Sequence, residues 1–298
     1  MNPLISVVLP TYNRAGLLKR ALSSIISQTY PHWEVLVVDN NSTDNTDQVV
    51  HDFNDERIRL LKVDNYGVIA LSRNVGIREA TGEYIAFLDS DDWWKSNKLE
   101  KSLAYLENGK DVVYHDLLVV AKRNQRVLWR KARTRTLKIP IFKDLITNGN
   151  ALNNSSVVLR KKILEDIGGL SEDRNLVSIE DYDAWLRAAR ITEKFQRIPQ
   201  TLGYYWTAGG NVSNPRRTIE TLNVIEERYS SEFLGPAAGH GISWLAYARG
   251  RMHYQLGLYE DAQKYLKIVS RREPSALISI KTYWMLFIIK IYKIIQGL

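Results

Sequence analysis

The stretch SVVLPTYNRAGLLKRALSSIISQTYPHWEVLVVDNNSTDNT, residues 6–46, changes its apolar period twice. ISVVLP, Ile5 to Pro10, is a short apolar run stopped by proline. From Ala15 to Gln28 the residues Leu17, Leu18, Ala21, Leu22, Ile25 and Ile26 recur at helical spacing, and WEVLVVD is a continuous apolar run again. STDNTDQVV then opens with Ser42, Thr43 and Asp44, which supply helix-start chemistry. RIRLLKV repeats the strand pattern, Val68 to Ala80 the helical one, and EYIAFL follows Thr81 and Gly82 as a further strand. Continuous apolar runs alternating with helices are the strands of a parallel sheet covered on both faces. The fold class is therefore α/β.

In such sheets ligands sit outside the carboxyl ends of the strands. Here those ends read PTYN at Pro10 to Asn13, DNNSTD at Asp39 to Asp44, DNYG at Asp64 to Gly67 and DSDD at Asp89 to Asp92. Asp89 and Asp91, one residue apart on a turn past a strand, suit a hard cation such as Mg²⁺ or Mn²⁺ that shares its shell with phosphates. Asp92 reads as a cap for the helix starting near Ser96. Asp39 can accept the imide N–H of a uracil with Thr11 or Tyr12 along the base, and Arg73 can reach acids or phosphate in the same crevice. Each has a plainer alternative. Asp39 and Asp44 also fit as loop or cap residues, and Arg73 as a surface charge.

The chain has 298 residues, enough for one large domain with an appendage, and its 45% hydrophobic and 25% charged content is that of a globular protein. Cysteine is absent, which excludes disulfides and thiolate zinc sites. MNPLISVVLPTYNR lacks the marks of a signal peptide, so the expectation is a cytoplasmic protein. The net charge of +8 is uneven. From His240 to Leu298 nine Lys or Arg face three acids, and Leu117 to Lys143 holds Lys122, Arg123, Arg126, Arg130, Lys131, Arg133, Arg135, Lys138 and Lys143 with no acid. Both blocks suit an anionic partner or a plain solvated surface.

WLAYARGRMHYQLGLYEDAQKYLKIV, Trp244 to Val269, reads as two helices joined near Gly257 and resembles a single tetratricopeptide unit. From Ser275 to Gly297, Leu277, Ile280, Trp284, Phe287, Ile288, Ile291 and Ile295 form one apolar helix face, with Lys281, Lys290 and Lys293 on the other half. The lysines interrupt the run too often for a span, so this helix is expected in a membrane interface or packed on a domain or a second copy. A dinucleotide turn is missing, since PTYNRAG has no GxGxxG, and no nucleic-acid module is present.

SVVLPTYNRAGLLKRALSSIISQTYPHWEVLVVDNNSTDNT together with NYGVIALSRNVGIREATGEYIAFLDSDDWW closely resembles the family-2 glycosyltransferases, strongly over Ile5 to Lys98 and more weakly through NNSSVVLRKKILEDIGGL and IEDYDAWLRAA. The resemblance implies a GT-A fold and a metal-dependent, inverting transfer of a sugar from a nucleotide donor, a UDP-sugar, to a hydroxyl. Carried over by position, it places Pro10, Thr11, Tyr12, Asn13, Asp39, Asn65, Arg73, Asp89 and Ser90 around the donor. Asp91 and Asp89 become the ligands of Mn²⁺ or Mg²⁺, Asp181 with Glu180 the catalytic pair, and Trp93, Trp94 and Asn154 the acceptor side. As acids at a helix start, Glu180 and Asp181 have an ordinary reading too. Many relatives carry a histidine or basic residue in a late loop; YYWTAGGNVSNPRR has no histidine, which leaves Thr207, Asn211, Ser213, Arg216 or Arg217 as substitutes, and His115 reads as structural. The expected layout is a catalytic domain over 1–215, split into a donor half 1–98 and an acceptor half 99–215, then a helical region 216–272 and an amphipathic helix 273–298. The basic blocks and the last helix suggest a polyprenyl-diphosphate-linked glycan as acceptor at the inner leaflet, with a soluble or protein acceptor, or a non-enzymatic adaptor, as alternatives.

Overall fold

In a computed structural model of the chain, the N-terminal apolar runs become neighbouring strands of one sheet. The structure describes residues 2–122, 125, 129–132, 134–208, 214–234, 241–270 and 276–296. Arg123, Arg126, Arg133, Asn211, Ser213, Ser275 and Gly297 lie outside them. The chain divides into two compact units, residues 1–141 with 151–210, and residues 142–150 with 211–298.

The first unit opens with β1 (Ile5–Thr11), α1 (Ala15–Ile26), β2 (Trp33–Asp39), α2 (Thr46–His51), β3 (Ile58–Lys62), α3 (Ile69–Glu79) and β4 (Tyr84–Phe87). It continues through β5 (Trp93–Trp94), α4 (Lys98–Glu107), β6 (Val112–Val120) and β7 (Lys131–Ala132). After α5 (Ile141–Asn148) come β8 (Val158–Arg160), α6 (Lys161–Asp166), α7 (Glu180–Ala188) and β9 (Phe195–Trp206). The strand order is β3-β2-β1-β4-β8-β6-β9-β5, with β7 on β6. β3, β2, β1 and β4 are parallel, as their continuous apolar sequences require, whereas β8 runs against β4 and β6. Thr11 pairs with Asp39 and Asp39 with Lys62, so three strand ends finish level.

Every residue of β1 and β2 is buried, and α1 covers them with Leu18, Ala21, Leu22 and Ile25. α3 lies close on the other face because of Gly76. A Cβ there would stand 2.7 Å from Val8 Cγ1, so this glycine sets how near Arg73, one turn earlier, sits to the strand ends.

Beneath α4 a polar group is buried in the core. Lys98 is fully buried, its Nζ 3.6 Å from the centre of the Trp94 ring, and burial pushes its pKa well below the usual lysine value. On β6, His115 is also fully buried; burial, then Lys98, pushes it down to about 3. Its Nδ1 lies 2.9 Å from the Asp116 carbonyl, so this histidine is structural. Lys98 Nζ and His115 Nε2 make no hydrogen bond within the protein. Lys98→Met, which keeps the stem over Trp94 and removes the buried amine, should raise stability by about 1–3 kcal/mol in urea denaturation. Because His115 binds a proton more weakly folded than unfolded, stability falls as pH drops from its unfolded pKa of about 6.5 toward 3.

The second unit is helical: α5 beyond Ile141, α8 (Pro215–Arg228), α9 (Ser230–Leu234), α10 (Gly241–Gln255), α11 (Tyr259–Ser270) and α12 (Ala276–Ile295). α10 and α11 form a hairpin through Gly257 at φ +73°, and Gly250 admits the Leu266 side chain between them. α12 packs on this pair by a narrow seam, Met285 and Ile289 against Ala262 and Leu266. Its broad apolar face is open: Trp284 is 60% and Phe287 59% exposed, and Ile280, Tyr283, Ile291 and Ile295 are exposed as well. Among the described residues no helix is long and apolar enough to cross a membrane.

Candidate active site

The acids gather at the carboxyl ends of β1 and β2 and on the loop that follows β4. Asp39, last residue of β2, is fully buried and accepts hydrogen bonds from the Ser42 backbone N–H at 3.1 Å and from Lys62 Nζ at 2.7 Å. The loops are tied to one another. Asn13, at φ +49°, donates its backbone N–H to Ser42 Oγ at 2.8 Å and accepts the Thr43 N–H through Oδ1 at 2.8 Å. Asp44 accepts from the Ala15 N–H at 2.9 Å and the Thr46 N–H at 3.1 Å, serving the starts of α1 and α2 together. The Tyr12 side chain, just past the end of β1, is 53% exposed. Pro10 and Thr11 are buried within β1, and Asn65 is spent on its own turn, donating to Ser72 Oγ at 2.8 Å and accepting the Gly67 N–H at 2.9 Å.

The DSDD loop follows β4. Asp89 takes its backbone position from Ser155 Oγ, which accepts its N–H at 3.1 Å, and its Oδ1 accepts from Arg73 Nη2 at 2.7 Å and Asn154 Nδ2 at 3.3 Å. Ser90 is buried. Asp91 Oδ2 accepts from Arg14 Nη1 at 2.5 Å, while Arg20 Nη2 donates to the Asp91 carbonyl at 2.6 Å. Burial, then Asp89, raises the Asp91 pKa against the pull of Arg14.

Asp92 does not cap α4. It is 1% exposed, its Oδ1 accepts the Trp206 N–H of β9 at 2.9 Å, and burial with Asp91 and Asp89 raises its pKa well above the carboxylate range. α4 starts at Lys98 after Asn97, with no side-chain cap. The expectation that Trp93 and Trp94 present flat faces to an acceptor is also corrected. Trp94 is 3% exposed, donates Nε1 to the Ser155 carbonyl at 2.7 Å and carries Lys98 on its ring. Trp93 is stacked on Tyr204 with centroids 4.8 Å apart and has the Arg20 guanidinium 3.6 Å over it. Both rings brace the acid loop against α1 and β9, a job that a WW pair following acids does not announce.

Glu180 and Asp181 begin α7. The 3% exposed Arg73 holds Glu180 Oε1 through Nη1 and Asp89 Oδ1 through Nη2, so one guanidinium joins two acids from distant segments of the chain. Burial opposes its charge, but Asp89 and Glu180 more than offset that, and its pKa stands above the ordinary arginine value. Glu180 is steered further by the Ser178 N–H, 2.6 Å from Oε2, with Ser178 held at φ +85°. Asp181, half-buried beside this pair, is pushed up to about 7 by burial and then by Glu180, with Arg73 pulling it down. Arg73 thus binds acids, not open crevice.

Tyr205 was not foreseen. On β9, burial and then the charges of Asp92, Asp89, Asp91 and Asp181 push its hydroxyl up to about 12. Its only sequence signal is the aromatic run YYW, which strand propensity alone explains. Among the described residues no group of three or more His, Asp or Glu is arranged to hold a metal ion.

The sequence model of glycosyl transferase family 2 matches residues 6–168, which carry β1 to β8 and the loops holding Asp39 and the DSDD acids, but end before α7 and β9. The chain belongs to this family. It is 41% identical over 106 residues to Bacillus subtilis TuaG, a glycosyltransferase named for teichuronic acid biosynthesis, covering 35% of this chain and 42% of TuaG. It is 40% identical over 118 residues to Escherichia coli WfgD, a UDP-Glc:α-D-GlcNAc-diphosphoundecaprenol β-1,3-glucosyltransferase, covering 39% of this chain and 47% of WfgD. The matched stretch therefore spans less than half the length of these relatives. Among solved structures, S. aureus TarS in complex with UDP-GlcNAc matches with a TM-score of 0.64 at 22% identity, covering 89% of this chain and 81% of that one. The shared fold is the GT-A arrangement of a mostly parallel sheet with helices on both faces.

Proposed function

We propose that this family-2 protein transfers a sugar, with inversion, from a UDP-sugar to a hydroxyl of a lipid-linked glycan. The observation that carries the proposal is the buried Arg73, which draws Asp89 of the DSDD loop and Glu180 of the α7 start into one crevice and leaves Asp181 beside them. The nucleotide lies along Pro10, Thr11, Tyr12 and Asn13, with Asp39 at the base, and Asp89 and Ser90 toward the ribose and sugar. Asp181 takes the proton of the acceptor hydroxyl. The freed oxygen attacks the anomeric carbon from the face opposite the diphosphate, the bond from that carbon to the diphosphate oxygen breaks, and UDP leaves with the electron pair.

Asp89 and Asp91, hard oxygen donors one residue apart, would hold a divalent cation together with the donor's phosphates. When bound, the cation supplies charge for the leaving diphosphate. Asn154, whose Nδ2 donates to Asp89 Oδ1 at 3.3 Å, lines the acceptor side. The test is a panel of nucleotide sugars incubated with the purified protein and Mn²⁺ or Mg²⁺. One UDP-sugar should be hydrolysed slowly without acceptor; hydrolysis of none, with no UDP binding, would contradict the reading.

The lipid-linked acceptor is supported by the name of WfgD, by the basic blocks and by the open face of α12. On this reading the catalytic work belongs to the first unit, and α12 lies in the inner-leaflet interface, its rings among the acyl chains and Lys281 and Lys290 at the headgroups. Trp284→Glu with Phe287→Glu should lower affinity for phosphatidylglycerol vesicles by about tenfold or more while sparing donor hydrolysis. Vesicle affinity equal to wild type would assign that face to another partner.

A further inference from the structure

Arg73 and Asn74 are consecutive on α3, and their side chains take hold of one link, the segment 167–179 between α6 and α7, at its two ends. Arg73 holds Glu180, where the link runs into α7. Asn74 is buried and binds one residue at the start of the link on both sides: its Oδ1 accepts the Leu170 N–H at 2.9 Å, and its Nδ2 donates to the Leu170 carbonyl at 2.8 Å. Nδ2 also donates to Glu172 Oε1 at 2.9 Å, which uses both hydrogens of the amide. Glycine makes this approach possible. Gly168 and Gly169 stand at φ +73° and +78°, and a Cβ on Gly169 would lie 2.7 Å from Asn74 Oδ1. The same turn is gripped from α7, where Arg187 donates Nη1 to the Ile167 carbonyl at 2.6 Å and the Gly169 carbonyl at 2.8 Å, and Nε to Asp183 at 2.8 Å. A cavity of about 720 Å³ lies beside the turn, bordered by Asn74, Ile77, Lys161, Leu164 and Gly169, so hydrogen bonds rather than packed side chains fasten the turn to α3 here.

We propose that Asn74 is a positioning residue for the acids of α7: its clasp on Leu170, passed on through Arg187, fixes where α7 presents Glu180 and Asp181 to Arg73. The catalytic consequence rests on the nucleotide-sugar reading above; the positional one does not. α3 and α7 are joined directly by Arg73 and Glu180, and a second time through Asn74, the glycine turn and Arg187, which closes a ring. Two attachments set the angle of α7 as well as its distance. The single ion pair would leave the helix start free to swing about it, and a base misplaced by an ångström loses much of its rate. Thr11, Tyr12, Asn13 and Asp39 lie outside the ring, so donor binding does not draw on it.

The test compares the full chain as wild type, Asn74→Ala and Gly169→Ala, the last of which breaks the clasp from its other side and guards against a folding defect peculiar to the first variant. Amide hydrogen exchange without ligand comes first. Both variants should exchange faster at residues 168–172 and also at 178–183, beyond the reach of the lost bonds, with β1 and β2 as in wild type. Calorimetric UDP binding and hydrolysis of the UDP-sugar that wild type turns over come second. Both variants should lower kcat by about tenfold or more while KM and UDP affinity stay within about twofold of wild type, a split that a general loss of stability does not produce. Exchange at 178–183 equal to wild type in both variants would overturn the proposal, as would an unchanged kcat in a variant whose exchange there has risen. Failure of wild type to bind UDP would overturn the nucleotide-sugar reading and the catalytic consequence with it, and exchange at 178–183 would then decide the clasp by itself.

Discussion

Asp181→Asn should reduce sugar transfer by about 10²–10⁴-fold with donor binding nearly unchanged, the loss expected when a positioned general base is removed. The environment of this residue makes the pH dependence specific. With a pKa near 7, raised by burial and by Glu180, Asp181 is half protonated at neutral pH. Transfer should therefore rise tenfold per pH unit below that value and level off above it. Stability runs the other way. The folded protein holds a proton between the unfolded carboxylate value of about 4 and pH 7 that the unfolded chain has lost, so this group costs stability as pH rises through that window. Asp181→Asn should melt at a higher temperature than wild type at pH 8 and at a similar temperature at pH 4. A lower melting temperature at pH 8 would show the carboxylate to be held by partners, in conflict with its assigned role.

The second large effect concerns Arg73. Arg73→Met leaves Asp89 and Glu180 facing each other in a buried setting without their shared cation, a change that costs about 3–5 kcal/mol when one side of a buried ion pair is lost. Arg73 also pulls the Asp181 pKa down, so in any variant that stays folded the acidic limb of the rate profile should move to higher pH. Adding Glu180→Gln to Arg73→Met should restore part of the stability, because one uncompensated charge is then gone. Full additivity of the two substitutions in urea denaturation would mean that the guanidinium does not bridge the acids.

The parallel half of the sheet was readable because ISVVLP, WEVLVVD and EYIAFL are buried on both faces and must be continuous in their apolar character. The acids at their ends could be placed in one crevice for the same reason. What each acid touches could not be read, since the partners come from distant segments: Asp91 from Arg14, Asp92 from Trp206, Glu180 from Arg73. Asp92 looked like a helix cap because capping is a local rule, and a pairing across 114 positions overrode it. Trp93 and Trp94 were open to the opposite misreading. Flat rings beside acids suit a sugar face as well as an internal brace, and only β5 pairing with β9 decides between them. Tyr205 carried no local mark, because the acids whose charge it feels lie at distant points of the sequence and β9 meets them only by pairing between β6 and β5.

The central claim is that a uridine diphosphate sugar lies across the ends of β1, β2 and β4. Amide hydrogen exchange of the full chain, with and without UDP and Mn²⁺, tests it most directly. The account predicts slower exchange on binding in three segments, residues 11–15, 39–46 and 88–93, with the outer face of α4 unchanged. UDP binding that protects none of these three segments would contradict it.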